Sequence, residues 1–317
     1  MSFWDKFWKF VQPRTNEEPL SASENCPESV PVVEEAPTRA EDDEPPAEAL
    51  ELEISLQTDL GMVRTNNEDR GVYKRPGDPE TAAKKGTLIV VADGMGGASA
   101  GEVASEMAIR IIPELYYNSP KAPGLAVKEA LEAASSEIHR AAQADPELRG
   151  MGTTCVALAI LQSEAFVAYV GDSRLYLLRD GNFYQLTEDH TVVGEMVRNG
   201  MITRDQARNH EERNVLSLSL GGRPEITASY WENPMVVRDG DRFLACTDGL
   251  HDLVSDSEMQ AIIADSPADV AVHDLIEGAK RNGGHDNITA ALIHVRSTNV
   301  ESDTVSKPTR ELLISSE

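Results

Sequence analysis

Residues 153–186 read TTCVALAILQSEAFVAYVGDSRLYLLRDGNFYQL, which is four apolar runs separated by short polar or glycine-containing turns. Runs rich in β-branched and aromatic residues between such turns are typical of β-strands. We therefore predict strands at 153–161, 165–170, 174–178 and 183–186. Asp180-Gly181 separates the last two, and this dipeptide favours a hairpin because the tight turn needs positive φ. The stretch thus predicts antiparallel pairing of neighbouring strands.

Further strands and several helices flank this stretch. Strand-like runs also occupy 53–58, 87–92, 241–246 and 288–295. Ser99 to Glu102 has the pattern of a helix capping box, and a second helix is predicted at 123–144. A third helix is predicted to start from a capping box at Ser266–Asp269, with Pro267 at the first helical position. Hairpin-like strands and paired helices favour an α+β fold with antiparallel sheet over a doubly wound parallel sheet.

The composition excludes several classes of function. The 317 residues include 29 Lys and Arg against 54 Asp and Glu, a net charge of −25. The acidic charge excludes a nucleic acid as the primary ligand, because a phosphate backbone needs a basic surface. It also excludes a polybasic membrane anchor, because such an anchor needs a cluster of Lys and Arg. No apolar run is long enough to predict a transmembrane helix, and the N-terminus lacks the pattern of a secretory signal.

The cysteines point to a reducing compartment. The chain has three, Cys26, Cys155 and Cys246, which are too few and too scattered for a disulfide framework or a zinc knuckle. Cys155 and Cys246 lie inside apolar strand runs, and we interpret them as core residues. The expected location of the protein is cytoplasmic.

The distribution of charge and aromatic residues divides the chain into four segments. Residues 12–50 are acidic, rich in Pro and Glu and without aromatic residues. We predict that they form a disordered linker. Residues 51–296 are predicted to form one globular domain. Residues 297–317 are predicted to be a disordered tail.

The first eleven residues form a distinct amphipathic segment. Trp4, Phe7, Trp8 and Val11 recur at helical spacing. One interpretation is a short helix that packs on the domain. The other is a peptide that binds a partner protein or lies at a membrane surface, which the long linker behind it favours. Peripheral membrane association through residues 1–11 therefore stays open.

Four aspartates lie where predicted strands end or begin. Asp93, Asp172 and Asp248 follow apolar runs, and Asp286 precedes one. Neighbouring antiparallel strands bring such positions to a shared edge, and clustered carboxylates repel one another unless a cation lies among them. Oxygen ligands of this kind favour Mg²⁺, Mn²⁺ or Ca²⁺, and a pair of such ions serves phosphoryl hydrolysis. The alternative is that each aspartate is a solvated turn residue.

Arg64 is the basic residue of interest near these carboxylates. It lies in the segment RTNNEDR at 64–70, and a guanidinium group matches the geometry of phosphate oxygens. The alternative is a surface salt bridge with Glu68 or Asp69.

A series of motifs follows in order along the chain. They are RTNNEDR at 64–70, VADGMGG at 91–97, GEVAS at 101–105, MGTT at 151–154, VGDSRLYLLRDG at 170–181, QLTEDH at 185–190, RNVLSLSLGG at 213–222, GDRFLACTDGLHD at 240–252 and GGHDNIT at 283–289. The ordered set resembles that of the metal-dependent serine/threonine protein phosphatases of type 2C, the PPM family, in its bacterial form. The resemblance covers almost all of residues 53–296.

The resemblance implies a fold and a metal centre with two Mn²⁺ or Mg²⁺ ions. The implied fold is a sandwich of two antiparallel β-sheets flanked by helix pairs, a four-layer α/β/β/α arrangement, with a flap at about 191–223. By resemblance, Asp93 bridges the two ions and the carbonyl of Gly94 ligates one of them. Asp248 and Asp286 hold the first ion, and Glu68 supports the second largely through water.

The resemblance also assigns roles outside that pair of ions. Asp69 is expected to order metal-bound water, and Arg64 to bind the substrate phosphate. Asp172, Asp248 and Asp252 are expected to form a third, weaker metal site. The implied reaction is hydrolysis of phosphoserine and phosphothreonine in proteins by a hydroxide that bridges the two ions. The implied partners are phosphorylated proteins and a cognate serine/threonine kinase.

One position departs from the family pattern. Many relatives have His directly after the metal-bridging Asp-Gly, where this chain has Met95. The general acid is therefore unassigned, and we interpret His190 and His285 as structural. Two rival hypotheses stay open: a nucleotide-binding loop at residues 94–97, whose glycine spacing fits no known fingerprint, and an interaction or metal-sensing module recruited through the N-terminal segment.

Overall fold

The computed structural model describes residues 50–96, 100–203, 206–207 and 210–298, which form two antiparallel β-sheets flanked by helices. The predicted aromatic segment, the linker up to residue 49 and the tail from residue 299 lie outside the described residues. Leu50 and Ser297, which the sequence assigned to the linker and the tail, are the outer ends of two paired strands.

The first sheet has five strands. In spatial order they are β1 (Leu50–Asp59), β12 (Ile288–Ser297), β11 (Arg242–Cys246), β7 (Arg174–Arg179) and β8 (Asn182–Gln185). Every neighbouring pair is antiparallel. Asp180, with φ of +51°, and Gly181, with φ of +71°, connect β7 to β8 as the predicted hairpin turn.

The second sheet has seven strands. They are β10 (Met235–Val236), β6 (Glu164–Val170), β5 (Cys155–Leu161), β3 (Thr87–Met95) and β2 (Asp69–Lys74), with β4 (Gly152–Thr153) beside β3 and β9 (Ser229–Tyr230) beside β6. The single strand predicted at 153–161 is wrong, because the structure divides it at Thr154. β4 pairs with the last residues of β3, whereas β5 pairs with the body of that strand.

The helices cover the outer faces of both sheets. They are α1 (Pro79–Lys85), α2 (Ala100–Asn118), α3 (Pro123–Ala144), α4 (Val192–Arg198), α5 (Asp248–His251), α6 (Asp256–Asp265) and α7 (Ala268–Arg281), with a 3₁₀ turn at Pro146–Leu148. The α2–α3 pair packs on the second sheet, and α7 packs on the first with α6 beside it. None of the described helices is long and apolar enough to cross a bilayer.

Three buried apolar layers separate the sheets and helices. Along β3, Ile89 and Val91 face the core between the sheets, whereas Leu88, Val90 and Ala92 face α2 and α3. Successive side chains of a strand point to opposite faces, so a strand buried on both faces is continuously apolar. A third layer lies between the first sheet and the α6–α7 pair. The predicted four-layer α/β/β/α fold is therefore confirmed.

The predicted starts of two helices have different outcomes. The capping box predicted at Ser266 is wrong: α7 begins at Ala268, Pro267 is its N-cap, and no side chain caps it. Ser266 instead ends α6, which has a capping box of its own between Ser255 and Glu258. Ser99, the other predicted cap, lies outside the described residues.

A buried ion pair connects the two sheets. Arg179, at the end of β7, donates hydrogen bonds to both carboxylate oxygens of Asp241, at 2.7 and 2.5 Å. The same guanidinium donates to the carbonyl oxygen of Val236, in β10 of the other sheet, at 2.7 Å. Both side chains of the pair are almost fully buried. Removal of one partner would therefore leave a buried charge without compensation.

We expect Asp241→Ala to lower the free energy of unfolding by about 3–5 kcal/mol, measured by urea denaturation, because it strands the Arg179 charge. Glu137→Ala is the matched control. It removes a pair with Arg140 in which both side chains are largely exposed, and it should change the unfolding free energy by less than about 1 kcal/mol. Equal effects of the two substitutions would contradict this account of the sheet junction.

Candidate metal centre

Four aspartates reach one end of the sandwich from different elements. Asp93 lies near the end of β3, Asp172 follows β6, Asp248 begins α5 after β11, and Asp286 precedes β12. The charges of the other three, together with that of Asp69, all act on the carboxyl group of Asp93. The predicted convergence of the acidic strand ends is therefore present in the structure.

Asp69 and Asp93 face each other across the β2–β3 pair. The Asp69 side chain is fully buried, and its Oδ2 accepts a hydrogen bond from Thr247 Oγ1 at 2.8 Å. Its Oδ1 has no hydrogen-bond partner among the described residues. Burial raises the pKa of Asp69 to about 7. Burial, and then repulsion from Asp69 and Asp248, raises the pKa of Asp93 well above its ordinary value.

Asp248, which follows β11 of the first sheet, and Asp172, which lies in the connection from β6 to β7, extend the cluster toward the first sheet. Burial raises the pKa of Asp248, and its buried Oδ1 lacks a partner within the described part of the chain. Burial, followed by repulsion from Asp248, raises the pKa of Asp172 to about 7. Carboxylates that are buried together with unsatisfied oxygens are unstable as anions unless positive charge is supplied.

The donors of this cluster fit a hard divalent cation. All are carboxylate oxygens, which suit Mg²⁺ and Mn²⁺ better than zinc or copper. Part of the positive charge comes from Arg64, whose Nη2 lies 2.7 Å from Asp286 Oδ2. The donor chemistry and the orphaned oxygens of Asp69 and Asp248 fit such a divalent cation. No group of three His, Cys, Asp or Glu side chains within the described ranges is arranged to hold one.

The segment from Arg64 to Asp69 is held by residues that the sequence analysis did not identify. Buried Asn287 accepts a hydrogen bond from the backbone N–H of Glu68 at 2.8 Å and donates to the carbonyl oxygen of Asn66 at 3.0 Å. Ser105 Oγ donates to the carbonyl oxygen of Glu68 at 2.5 Å. Asn287 and Ser105 lie in the motifs at 283–289 and 101–105, but the motifs gave neither residue a role.

Gly94 is required by the close approach of three chain segments. A Cβ at this position would lie 2.0 Å from the carbonyl oxygen of Gly101 and 2.7 Å from that of Glu68. The backbone N–H of Gly94 donates to the carbonyl oxygen of Glu68 at 3.1 Å. Glycine therefore brings the end of β3, the start of α2 and the Glu68 segment together beside Asp93.

His251 lies between the residues predicted to form the third metal site. Its Nε2 is 3.1 Å from the carbonyl oxygen of Asp172, and its Nδ1 is 3.2 Å from Asp252 Oδ1. The second contact lacks hydrogen-bond geometry. Asp172 is buried, whereas Asp252 is exposed. The structure therefore brings Asp172, Asp248 and Asp252 to one side of the cluster. The imidazole of His251 lies among them; this residue is part of the motif at 240–252, but the motif gave no role for it.

The two histidines that were predicted to be structural, His190 and His285, differ in their surroundings. His190 is buried, its Nδ1 accepts a hydrogen bond from the backbone N–H of Gly171 at 3.1 Å, and its ring stacks on Tyr169. Burial lowers the pKa of His190, so the neutral ring acts as a fixed acceptor beside Asp172. His285 is exposed.

The predicted flap includes the helix α4, and its described residues are joined to the domain at both ends. Thr191 caps α4 with its side chain and forms an isolated bridge with Leu216. A second bridge joins Leu220 to Thr153, next to the end of β3. The segment is therefore joined to β4, the short strand that pairs with Gly94 and Met95 next to Asp93.

The comparison of this chain with known proteins gives matches to one protein family. The sequence pattern described as "Protein phosphatase 2C" matches residues 80–288. "Protein phosphatase PhpP" of Streptococcus pneumoniae serotype 2 is 36% identical over 257 residues, which cover 79% of this chain and 100% of that protein.

Solved structures agree with the sequence comparison. The Mycobacterium tuberculosis serine/threonine phosphatase PstP/Ppp superposes with a TM-score of 0.69 at 34% identity, over 77% of this chain and 99% of the other. The catalytic domain of PstP "in complex with 2 Manganese ions" superposes with a TM-score of 0.67 at 35% identity, over 78% of this chain and 100% of the other.

The two described cysteines are buried at the ends of strands in different sheets. Burial raises the pKa of both Cys155 and Cys246 far above the ordinary range for a thiol. In a Cys26→Ser variant we expect neither thiol to react with DTNB under native conditions and both to react after denaturation. Rapid reaction of the native variant would contradict their interpretation as core residues.

Proposed function

Because the chain belongs to the protein phosphatase 2C family, we propose that the carboxylate cluster around Asp93 is the centre at which it hydrolyses phosphoserine and phosphothreonine in proteins. The observation that carries this proposal is the set of buried carboxylates with orphaned oxygens next to an exposed arginine. The two manganese ions bound by the related PstP domain support the requirement for Mn²⁺ or Mg²⁺.

The residues that would hold two cations follow from the cluster. We propose that Asp93 bridges the two cations. The Gly94 carbonyl, Asp248 and Asp286 would bind one cation, and Glu68 would support the other. Asp172 and Asp252, with Asp248, would hold a third, weaker ion. When bound, a pair of divalent cations activates water as the nucleophile and neutralises charge on the phosphoryl group.

Arg64 is proposed to bind the substrate phosphate. Its side chain is 47% exposed and its ion pair with Asp286 is partly solvated, so the pair is weak and the guanidinium can turn to a phosphate. Two of its N–H groups would donate to two phosphoryl oxygens and orient the phosphorus atom toward the carboxylates.

Asp69 is proposed to orient the attacking water. Thr247 holds one of its oxygens, which leaves Oδ1 free of protein partners among the described residues and available to accept a proton from water. Met95 has no ionisable group, so the leaving-group proton must come from elsewhere.

The first test is phosphate release from a phosphothreonine peptide by the full chain. We expect release with Mn²⁺ and none with EDTA, because the carboxylates alone cannot bind an anionic phosphate. Folded protein that releases no phosphate in either condition would favour the rival hypothesis, a metal-sensing or interaction module.

Asp248→Asn is the control for this test. It keeps the shape of the side chain, so the fold should persist, but it removes a charge from the proposed metal ligands, so turnover should be lost. At a hundredfold excess over its Kd, Mn²⁺ should stabilise the wild type by about 2.7 kcal/mol, measured as a higher Tm, and stabilise the variant less. Wild-type activity, or an equal shift of Tm, in the variant would remove Asp248 from the metal site.

The N-terminal segment is proposed to direct the enzyme to a partner or a membrane surface, and the substrates to be proteins phosphorylated by a cognate serine/threonine kinase. The acidic linker separates this segment from the cluster. A variant that lacks residues 1–49 should therefore keep its activity on a small phosphopeptide and lose partner capture or localisation. Loss of peptide activity from a folded truncated protein would mean that the segment contributes to the site.

A further inference from the structure

Three apolar side chains are exposed on the turn that leads from β1 to Arg64. Leu60, Met62 and Val63 are 39%, 64% and 66% exposed. Single exposed apolar residues are ordinary on protein surfaces, whereas these three follow one another within four positions of the chain. We call this group the Leu60–Val63 patch.

The backbone of the patch is fixed although its side chains are exposed. Met62 N–H donates to the carbonyl oxygen of Gly284 at 2.6 Å, and Asn287 Nδ2 donates to that of Leu60 at 3.1 Å. Gly61 has a φ of +75°, and a Cβ there would lie 2.1 Å from the carbonyl oxygen of Asp286. The turn is therefore docked tightly on the segment that contains Asp286. A surface held in this way loses little conformational entropy on binding.

The patch is continuous with the proposed phosphate-binding position. Val63 directly precedes Arg64, whose guanidinium lies 2.7 Å from Asp286 Oδ2 at the carboxylate cluster. An extended peptide advances about 3.3 Å per residue, so a phosphorylated residue at Arg64 brings its immediate neighbours within reach of the patch. A polar neighbour in the peptide would cover the patch without a gain in binding free energy. An apolar neighbour would remove apolar surface of both the peptide and the patch from water.

We propose that the Leu60–Val63 patch binds a bulky apolar side chain next to the phosphorylated residue. The substrate class is then phosphoproteins in which aliphatic residues flank the phosphoserine or phosphothreonine. This inference rests on the proposed function, because it takes Arg64 as the phosphate-binding residue. Burial of one or two apolar side chains on an open surface should favour such substrates by about tenfold in kcat/KM.

The test compares two phosphothreonine peptides with the full chain and Mn²⁺. The peptides differ only in having leucine or serine at the two positions on each side of the phosphothreonine. The readout is the ratio of the two kcat/KM values, which cancels any general loss of activity. p-Nitrophenyl phosphate, which has no flanking residues, reports whether the wild type hydrolyses a phosphate ester at all.

Variants locate the preference on the surface. In Met62→Ser/Val63→Ser we expect the ratio of the leucine to the serine peptide to fall from about ten toward one, and Met62→Leu should keep it near the wild-type value. Val270→Ser is the matched control. It removes an apolar side chain that is 45% exposed on α7, outside the proposed site, and it should leave the ratio unchanged. The Tm of each variant checks that it is folded.

Three other outcomes would each contradict the inference. Equal hydrolysis of both peptides by the wild type would overturn the inference and leave the proposed function in place. A wild-type preference that survives in the double serine variant would also overturn it, because the preference would then lie elsewhere on the surface. Failure of the wild type to hydrolyse either peptide or p-nitrophenyl phosphate would remove the proposed function and the inference with it.

Discussion

Burial of several carboxylates at one end of a β-sandwich is the constraint on which the rest of this structure depends. Asp69, Asp93, Asp172 and Asp248 each have a raised pKa, first because they are buried and then because they repel one another. Such a group lowers the stability of the fold unless positive charge is supplied. The surrounding structure must therefore supply stability elsewhere and hold the oxygens where a cation can reach them.

The sandwich meets both requirements. Its three apolar layers bury the strands up to their ends. Asp93 therefore lies in a buried strand, and Asp172, Asp248 and Asp286 lie within two residues of the end of one. Hydrogen bonds from Thr247 to Asp69 and between Asn287 and the Glu68 segment join the first sheet to the second across the cluster. The same segment continues into Arg64 and the Leu60–Val63 patch, so one set of contacts orients the phosphate-binding residue and the adjoining surface.

The errors of sequence reasoning have local physical causes. The strand predicted at 153–161 is divided because Thr153 and Thr154 hydrogen-bond to Asp93 beyond the regular pairing of β5, a contact between residues sixty positions apart. The capping box at Ser266 has the right residue types, but Ser266 ends the preceding helix and its carbonyl oxygen accepts a hydrogen bond from Arg242. Asn287 and His251 lie in two of the motifs, but their roles were not predicted because these depend on contacts with distant backbone atoms.

By itself the sequence determined an α+β fold with antiparallel sheet and the four aspartates at strand ends, because periodicity is a property of the chain alone. The order of its motifs carried the resemblance to the family, which in turn implied the sandwich. Only the tertiary structure decided that Asp69 is fully buried, that Arg64 pairs with Asp286, that Asn287 holds the Glu68 segment, and that Met62 and Val63 remain exposed beside it. Burial and hydrogen bonding depend on which residues distant in sequence meet at a position, and that is settled only when the two sheets pack together.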